Sequence, residues 1–217
     1  MKRMILTGGS SGLGLAIKNW AEESDYPGRR YQKYKVENVC RDTGFDISRP
    51  SQINDALNQI SLKPKIDVLI NNAGILHFNE DECNCDEETW LHIHATHLFM
   101  ERLAPFIRLG GCIINIASIS GITGEAEVPF YAATKAAVIN LTKSYAKKLA
   151  PSVRVNCISP GLFNTKLVQG PAPQELVDKA LLQREAEADE IIPAVKFLID
   201  SKYTTGANIV VDGGASI

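Results

Sequence analysis

The sequence has little of what would tie a protein to a membrane, a nucleic acid or an oxidising compartment. No apolar stretch approaches the roughly 20 residues that cross a bilayer. Met1 to Thr7 opens as a strand-like run without the charged-then-apolar pattern of a secretory signal. Basic and acidic side chains nearly cancel, 23 against 25 for a formal charge of -2, so neither duplex nucleic acid nor anionic lipid is an expected partner. Cysteine is sparse and odd in number. Cys40, Cys83, Cys85, Cys112 and Cys157 are spread through the chain, which points to buried thiols in a reducing, cytoplasmic setting rather than a disulfide framework. Cys83 and Cys85 near His77 offer two thiolates with no second pair at zinc spacing, so no metal is expected. No fixed-period repeat, low-complexity tract or Pro/Gly/Ser linker divides the 217 residues, a length that suits one domain with a single core.

What is present is alternation. Short apolar runs at 3–7, 36–40, 67–71, 112–117, 154–159 and 207–212 read as strands, and helical patterns lie near 12–23, 50–61, 87–109, 130–149 and 187–200. The order predicts a single α/β domain: a doubly wound parallel sheet with helices on both faces. One stretch conflicts with that order. If 44–47 begins a third strand, only about four residues join it to 36–40, where a parallel crossover needs a dozen or more.

Two segments suit a phosphate-bearing ligand. The first strand runs into Thr7-Gly8-Gly9-Ser10-Ser11-Gly12-Leu13-Gly14 and then into a helical pattern. Gly8, Gly12 and Gly14 permit close backbone approach, so N–H groups at the helix start, with Leu13 among them, can face a pyrophosphate while Ser10 and Ser11 add hydroxyls. A purely structural strand-helix turn is the alternative. Asn71-Asn72-Ala73-Gly74 ends another strand; Asn72, Ala73 and Gly74 can lie against an adenosine or form an ordinary polar turn.

Chemistry is suggested by Tyr131 and Lys135, four apart in a helical pattern and therefore on one face. A phenol titrates near pH 10, and a nearby ammonium is expected to lower that value and so to fit Tyr131 for proton transfer. Lys135 can also hold a ribose hydroxyl. Ser118, just past the strand 112–117, is placed to stabilise negative charge on a carbonyl oxygen as a hydride arrives. Tyr and Lys at this spacing are also common on solvated helices.

Taken together and in this order, these residues resemble the short-chain dehydrogenase/reductase family over nearly the whole chain, and within it the 3-oxoacyl-carrier-protein-reductase group. Thr7-Gly8-x-x-x-Gly12-x-Gly14 is similar to its cofactor turn, Asn71 to Gly74 to its adenine-side strand end, and Ser118, Tyr131 and Lys135 to its catalytic set. Val155 to Gly161 with Thr165 resembles its loop over the nicotinamide, which assigns Pro160, Gly161 and Thr165 to the cofactor; Val211-Asp212-Gly213-Gly214 resembles its last strand end. The resemblance implies a Rossmann-type domain over 1–217 that carries both cofactor and substrate sites. It implies hydride transfer between NAD(P)(H) and a carbonyl or secondary alcohol, and a homodimer or homotetramer.

The sequence departs from the family in three places. The catalytic Asn on the helix after Asn-Asn-Ala-Gly has no counterpart, and alignment to Pro105 puts His92 there, as a possible holder of the relay water. Cys40 stands where an Asp would grip the NAD ribose, and Arg41 follows, which leans the choice toward NADP(H) with NAD(H) as the alternative. Asp46 and Ile47, closing this compressed stretch, are assigned to the cofactor with Arg41. The third departure is a short segment between Thr165 and Asp178, where relatives carry a longer substrate lid; Gly170 to Pro173 reads as a stiff turn before a helix near Gln174. The competing reading is a catalytically weak cofactor-binding sensor or interaction protein on the same fold.

Overall fold

A computed structural model describes residues 1–23, 33–47, 49–61, 65–74, 87–165 and 174–217. Six strands form one parallel sheet: β1 (Lys2–Thr7), β2 (Tyr34–Val39), β3 (Ile66–Asn71), β4 (Ile107–Ile116), β5 (Arg154–Pro160) and β6 (Asn208–Val211). Their spatial order is β2-β1-β3-β4-β5-β6. Between them run α1 (Gly12–Glu22), α2 (Pro50–Ser61), α3 (Glu87–Leu103), α4 (Ser120–Thr123), α5 (Pro129–Leu149), α6 (Gln174–Lys179) and α7 (Ile192–Asp200).

Strand side chains alternate between faces, so a strand covered on both sides reads as continuously apolar. In β1, Ile5 points into one core with Leu69, Ile113 and Val155, against Ile53 and Leu57 of α2, Phe99 of α3 and Ala146 of α5. Its neighbours Met4 and Leu6 point into the other core with Ile70, Ile114 and Ile158, against Ile17 of α1 and Leu198 of α7. Each such fully buried side chain contributes roughly 1.5–3 kcal/mol; a charge at Ile5, fully buried between β2 and β3, would disrupt the domain. Among the described residues no helix is long and apolar enough to cross a membrane.

The chain winds outward from β1 in both directions, to β2 on one side and to β3 on the other. Ligands of open parallel sheets lie at that reversal, beyond the carboxyl ends of the strands. The glycine turn after β1 and Asn72 to Gly74 after β3 flank it.

Three expectations are corrected. No strand forms over 44–47. Instead a 3-10 turn, Arg41–Thr43, ends at Gly44 with φ +84°, and the chain passes to α2, so the sheet stops at β2. The helix expected to reach 109 ends at Leu103, because Pro105 removes a backbone donor and forms a short 3-10 turn, and β4 starts at Ile107, before 112. β2 runs from Tyr34 to Val39, leaving Cys40 to open the turn rather than to end the strand. The helix expected near Gln174 is α6, whereas His77, Cys83, Cys85, Asp86 and Gly170 to Pro173 lie outside the described residues.

Candidate active site

Thr7 ties the two sides of the crevice together. Its hydroxyl accepts from the backbone N–H groups of Asn72 and Ala73, each at 3.0 Å, and Asn72 Nδ2 donates to the carbonyls of Thr7 (3.1 Å) and Gly8 (3.0 Å). Gly8 N donates to Val39 O at 2.9 Å, fixing the turn to β2 as well. α1 then packs so closely that a Cβ on Gly14 would overlap Gly8 O and sit 2.5 Å from Asn72 Nδ2. Ser11 is the helix N-cap, its side chain caps no backbone N–H, and the first turn holds no acidic residue. The partial positive charge of that helix end is therefore left for an external anion, which fits the pyrophosphate of a dinucleotide. Leu13 is half-buried against the second core.

Ser10 is not directed only to an anion: its hydroxyl lies 2.8 Å from Cys40 Sγ, and Asn38 Nδ2 donates to Cys40 Sγ at 3.1 Å. Burial works to raise the Cys40 pKa, but hydrogen bonds from Ser10 and Thr43 outweigh it and hold the thiol below its ordinary value. Beyond this cluster, Arg41 is exposed, with its Nε 3.0 Å from Asp46 Oδ2. Asp46 N donates to Gln52 Oε1 at 2.6 Å, and Ile47 is buried.

Opposite the turn, the ends of β3 and β4 meet the start of α5. The Ser118 hydroxyl is near enough to Tyr131 to favour its phenolate; Ser118 Oγ accepts from Ser120 N at 3.2 Å and donates to Ser120 Oγ at 3.3 Å. Lys135 Nζ donates to Ile116 O at 3.3 Å and lies 5.4 Å from the Tyr131 ring centroid. A Cβ on Gly74 would stand 3.3 Å from that Nζ, so Lys135 is directed at the β3 end. One expectation is reversed. Burial raises the Tyr131 pKa to about 12, only partly opposed by the Ser118 hydroxyl, and lowers that of Lys135 to about 8. The ammonium faces the ring rather than the hydroxyl, and desolvation outweighs its attraction.

The loop after β5 closes the rim. Pro160 O accepts from Ile119 N at 3.0 Å, and Gly161 N donates to Val211 O at 2.9 Å. A Cβ on Gly161 would lie 2.7 Å from Asp212 Cα, so that glycine serves the β6 end directly. The Thr165 side chain reaches Gly12, where an added Cβ would be 3.2 Å from it. Lys179 of α6 pairs across the cleft with Glu125 at 3.4 Å. His92 stands half-buried in α3 with both ring nitrogens sealed from solvent, and Thr96 donates to its carbonyl at 3.0 Å. Two residues earlier, Trp90 packs edge-on against Phe130, the neighbour of Tyr131, at 5.3 Å.

The arrangement thus joins Ser118, Tyr131 and Lys135 on one rim, with Gly74 at the β3 end beside the ammonium and the glycine turn opposite. Sequence reasoning missed the Asn38–Cys40–Ser10 contact and a buried polar chain formed by Asn71, Asn115 and Thr142. Asn115 sits inside an apolar run that shows no sign of its role.

Comparison with known proteins follows the same pattern. Residues 11–216 match the family model described as enoyl-(acyl carrier protein) reductase. The chain is 31% identical over 242 aligned positions to meso-2,3-butanediol dehydrogenase of Serratia marcescens, covering 99% of this chain and 94% of that protein. A small-chain dehydrogenase solved in complex with NADPH is 27% identical, with a TM-score of 0.82 over 99% of this chain and 98% of the other. A 3-ketoacyl-(acyl-carrier-protein) reductase from Brucella melitensis, solved with NADH, is also 27% identical, with a TM-score of 0.85 over 100% and 98% of the two chains.

Proposed function

The chain belongs to the short-chain dehydrogenase/reductase family and is an NAD(P)-dependent oxidoreductase of alcohol or carbonyl substrates, and on that premise we propose that Tyr131, Lys135 and Ser118 are its catalytic residues. The observation that carries this reading is the placement of the Lys135 ammonium, 5.4 Å from the Tyr131 ring and held between Ile116 O and Gly74, at the strand end that also carries Ser118. The nicotinamide cofactor supplies or accepts the hydride. Ser118 holds the substrate oxygen. Tyr131, which burial keeps protonated at neutral pH, donates its phenolic proton to that oxygen in the reductive direction. Lys135 holds a ribose hydroxyl and keeps positive charge beside the phenolate as it forms.

The cofactor residues of the proposal are Gly8, Ser10, Ser11, Gly12, Leu13 and Gly14 in the turn, Asn72, Ala73 and Gly74 opposite it, Tyr131 and Lys135, and Pro160, Gly161 and Thr165 on the rim. Arg41, with Asp46 and Ile47 behind it, leans the choice toward NADP(H); the exposure of its guanidinium, paired with Asp46 on one edge, supports this. His92 stands in for the relay asparagine. The domain holds both sites, self-associates as a dimer or tetramer, which light scattering checks, and works in the cytoplasm, where Cys40, Cys112 and Cys157 remain free thiols. A place near the 3-oxoacyl-carrier-protein reductases draws support from the likeness to the Brucella melitensis 3-ketoacyl-(acyl-carrier-protein) reductase, while the other relatives are varied dehydrogenases.

The test is NADPH and NADH oxidation with diacetyl, acetoin and acetoacetyl thioester, and the reverse reaction with meso-2,3-butanediol. Tyr131→Phe should lower turnover by roughly 10²-fold or more, far more than it weakens cofactor binding; full turnover in that variant would refute the catalytic assignment. Equal NADPH/NADH preference in wild type and Arg41→Ala would remove the argument from Arg41. An unchanged pH-rate profile in His92→Ala would count against the relay.

A further inference from the structure

Beneath α5 runs a chain of buried polar side chains that the reaction described above does not use. Asn71 Nδ2 donates to Asn115 Oδ1 at 2.8 Å; Asn115 Nδ2 donates to Thr142 Oγ1 at 2.9 Å and lies 3.4 Å from Met100 Sδ. Thr142 Oγ1 donates a hydrogen bond to Val138 O at 2.9 Å. Asn115 and Thr142 are fully buried and Asn71 is 5% exposed, all at the level of Phe99, Ile113 and Val155 in the first core. Neutral polar groups in such a place are costly unless bonded, and an apolar set of the same shape would hold the core equally well.

What they specify is read from their neighbours. Asn115 immediately precedes Ile116, whose carbonyl accepts from Lys135 Nζ. Thr142 lies two helical turns beyond Lys135, on the same face of α5. α5 is thus fastened to the end of β4 at two adjoining points, one through the ammonium and one through the Asn115 amide. At the other end of the chain, Asn71 precedes Asn72, which braces the glycine turn.

We propose that Asn115 and Thr142 are positioning residues for the reaction: their hydrogen bond sets the register of α5 on β4 and so keeps the Ile116 carbonyl under the Lys135 ammonium. The inference rests on the reading of Tyr131 and Lys135 as the catalytic pair. An ammonium inside a closed rim keeps its proton only as far as its acceptors compensate for lost water. Loosening α5 removes that acceptor, so the proton leaves Lys135 at lower pH. The other titratable groups around this point are Tyr131 on the same helix, Cys157 of β5 beside Thr142, and His92 and His97 on α3, the latter bonded to Tyr145 further along α5. α4 and the ends of β3 and β4 bring only uncharged side chains.

The test compares Thr142→Val, Asn115→Leu and Thr142→Ser with wild type, using two readouts. The first is kcat/KM against pH with whichever carbonyl of the panel turns over. Its alkaline limb should move down by about half a pH unit or more in Thr142→Val and Asn115→Leu, roughly a threefold loss above the limb, and return in Thr142→Ser. The second is the titration of the Lys135 Cε resonance by NMR, identified by its loss in Lys135→Met, whose midpoint should move the same way. Thr142→Ala reads the same contact if the valine variant does not fold. Lower melting temperatures with limb and midpoint both unmoved would overturn the proposal, leaving the chain a packing element only. If Tyr131→Phe keeps full turnover, the catalytic reading fails instead, and the NMR midpoint still decides this one.

Discussion

Lys135→Met should make the protein more stable and inactive at once. Burial takes the Lys135 pKa from 10.5 to about 8, which at ~1.4 kcal/mol per pH unit means the enclosed ammonium costs about 3 kcal/mol at neutral pH. Methionine fills a similar volume without charge but gives up the hydrogen bond to Ile116 O, worth ~1 kcal/mol, for a net gain of about 2 kcal/mol. At this chain length that raises the melting temperature by roughly 4–8 °C. The gain depends on pH in a stated direction. Below about pH 8 both the folded and the unfolded lysine are protonated, and the whole cost is present. Between about 8 and 10.5 the unfolded chain holds a proton that the fold has released, so wild-type stability rises with pH and the advantage of the variant closes. Thermal melts of both proteins by circular dichroism at pH 7 and pH 10.5, with a turnover assay alongside, read this out. A methionine variant that melts no higher at pH 7, or whose advantage persists undiminished at pH 10.5, would refute the reasoning.

Gly14→Ala should weaken NADPH binding by roughly tenfold or more in calorimetry, because a methyl there meets Gly8 O and Asn72 Nδ2 and overpacking of this kind costs about 1–3 kcal/mol; affinity within twofold of wild type would contradict the close packing of α1 on the turn. Thr7→Val keeps the shape but leaves the N–H groups of Asn72 and Ala73 without their acceptor, so denaturant melts should show a loss of about 2 kcal/mol or more. Tyr131 acts in the opposite sense to Lys135: its pKa is raised from 10.0 to about 12, so the fold holds a proton that the unfolded chain loses, and wild-type stability should fall with pH across that window while Tyr131→Phe is spared that fall.

The strands were legible because a sheet covered on both faces leaves unbroken apolar runs such as Met4 to Leu6 and Ile113 to Ile114. That Ser118, Tyr131 and Lys135 gather at one strand end was legible because its clues are local: one helical spacing and one strand end. What the sequence hid depends on neighbours distant along the chain. The apolar residues from Leu98 through Ile107 keep a helical period past the true end of α3, and only Pro105 hints at the change. The sign of the Tyr131 shift was missed because spacing shows that an ammonium is near but not that the rim excludes water or that the charge faces the ring. Asn115 was read as part of a strand, since nothing in its own segment reveals Asn71 and Thr142 closing around it.

Under the proposed assignment of the cofactor turn, the closeness of Thr165 to Gly12 makes the boundary between the nucleotide and the substrate only one side chain thick. Residues that reshape one compartment therefore push on the other. A bulkier group at 165, introduced to admit a different alcohol, will be felt first as a change in how firmly the coenzyme is gripped, so broadening substrate scope from that side calls for a compensating trim within the nucleotide turn.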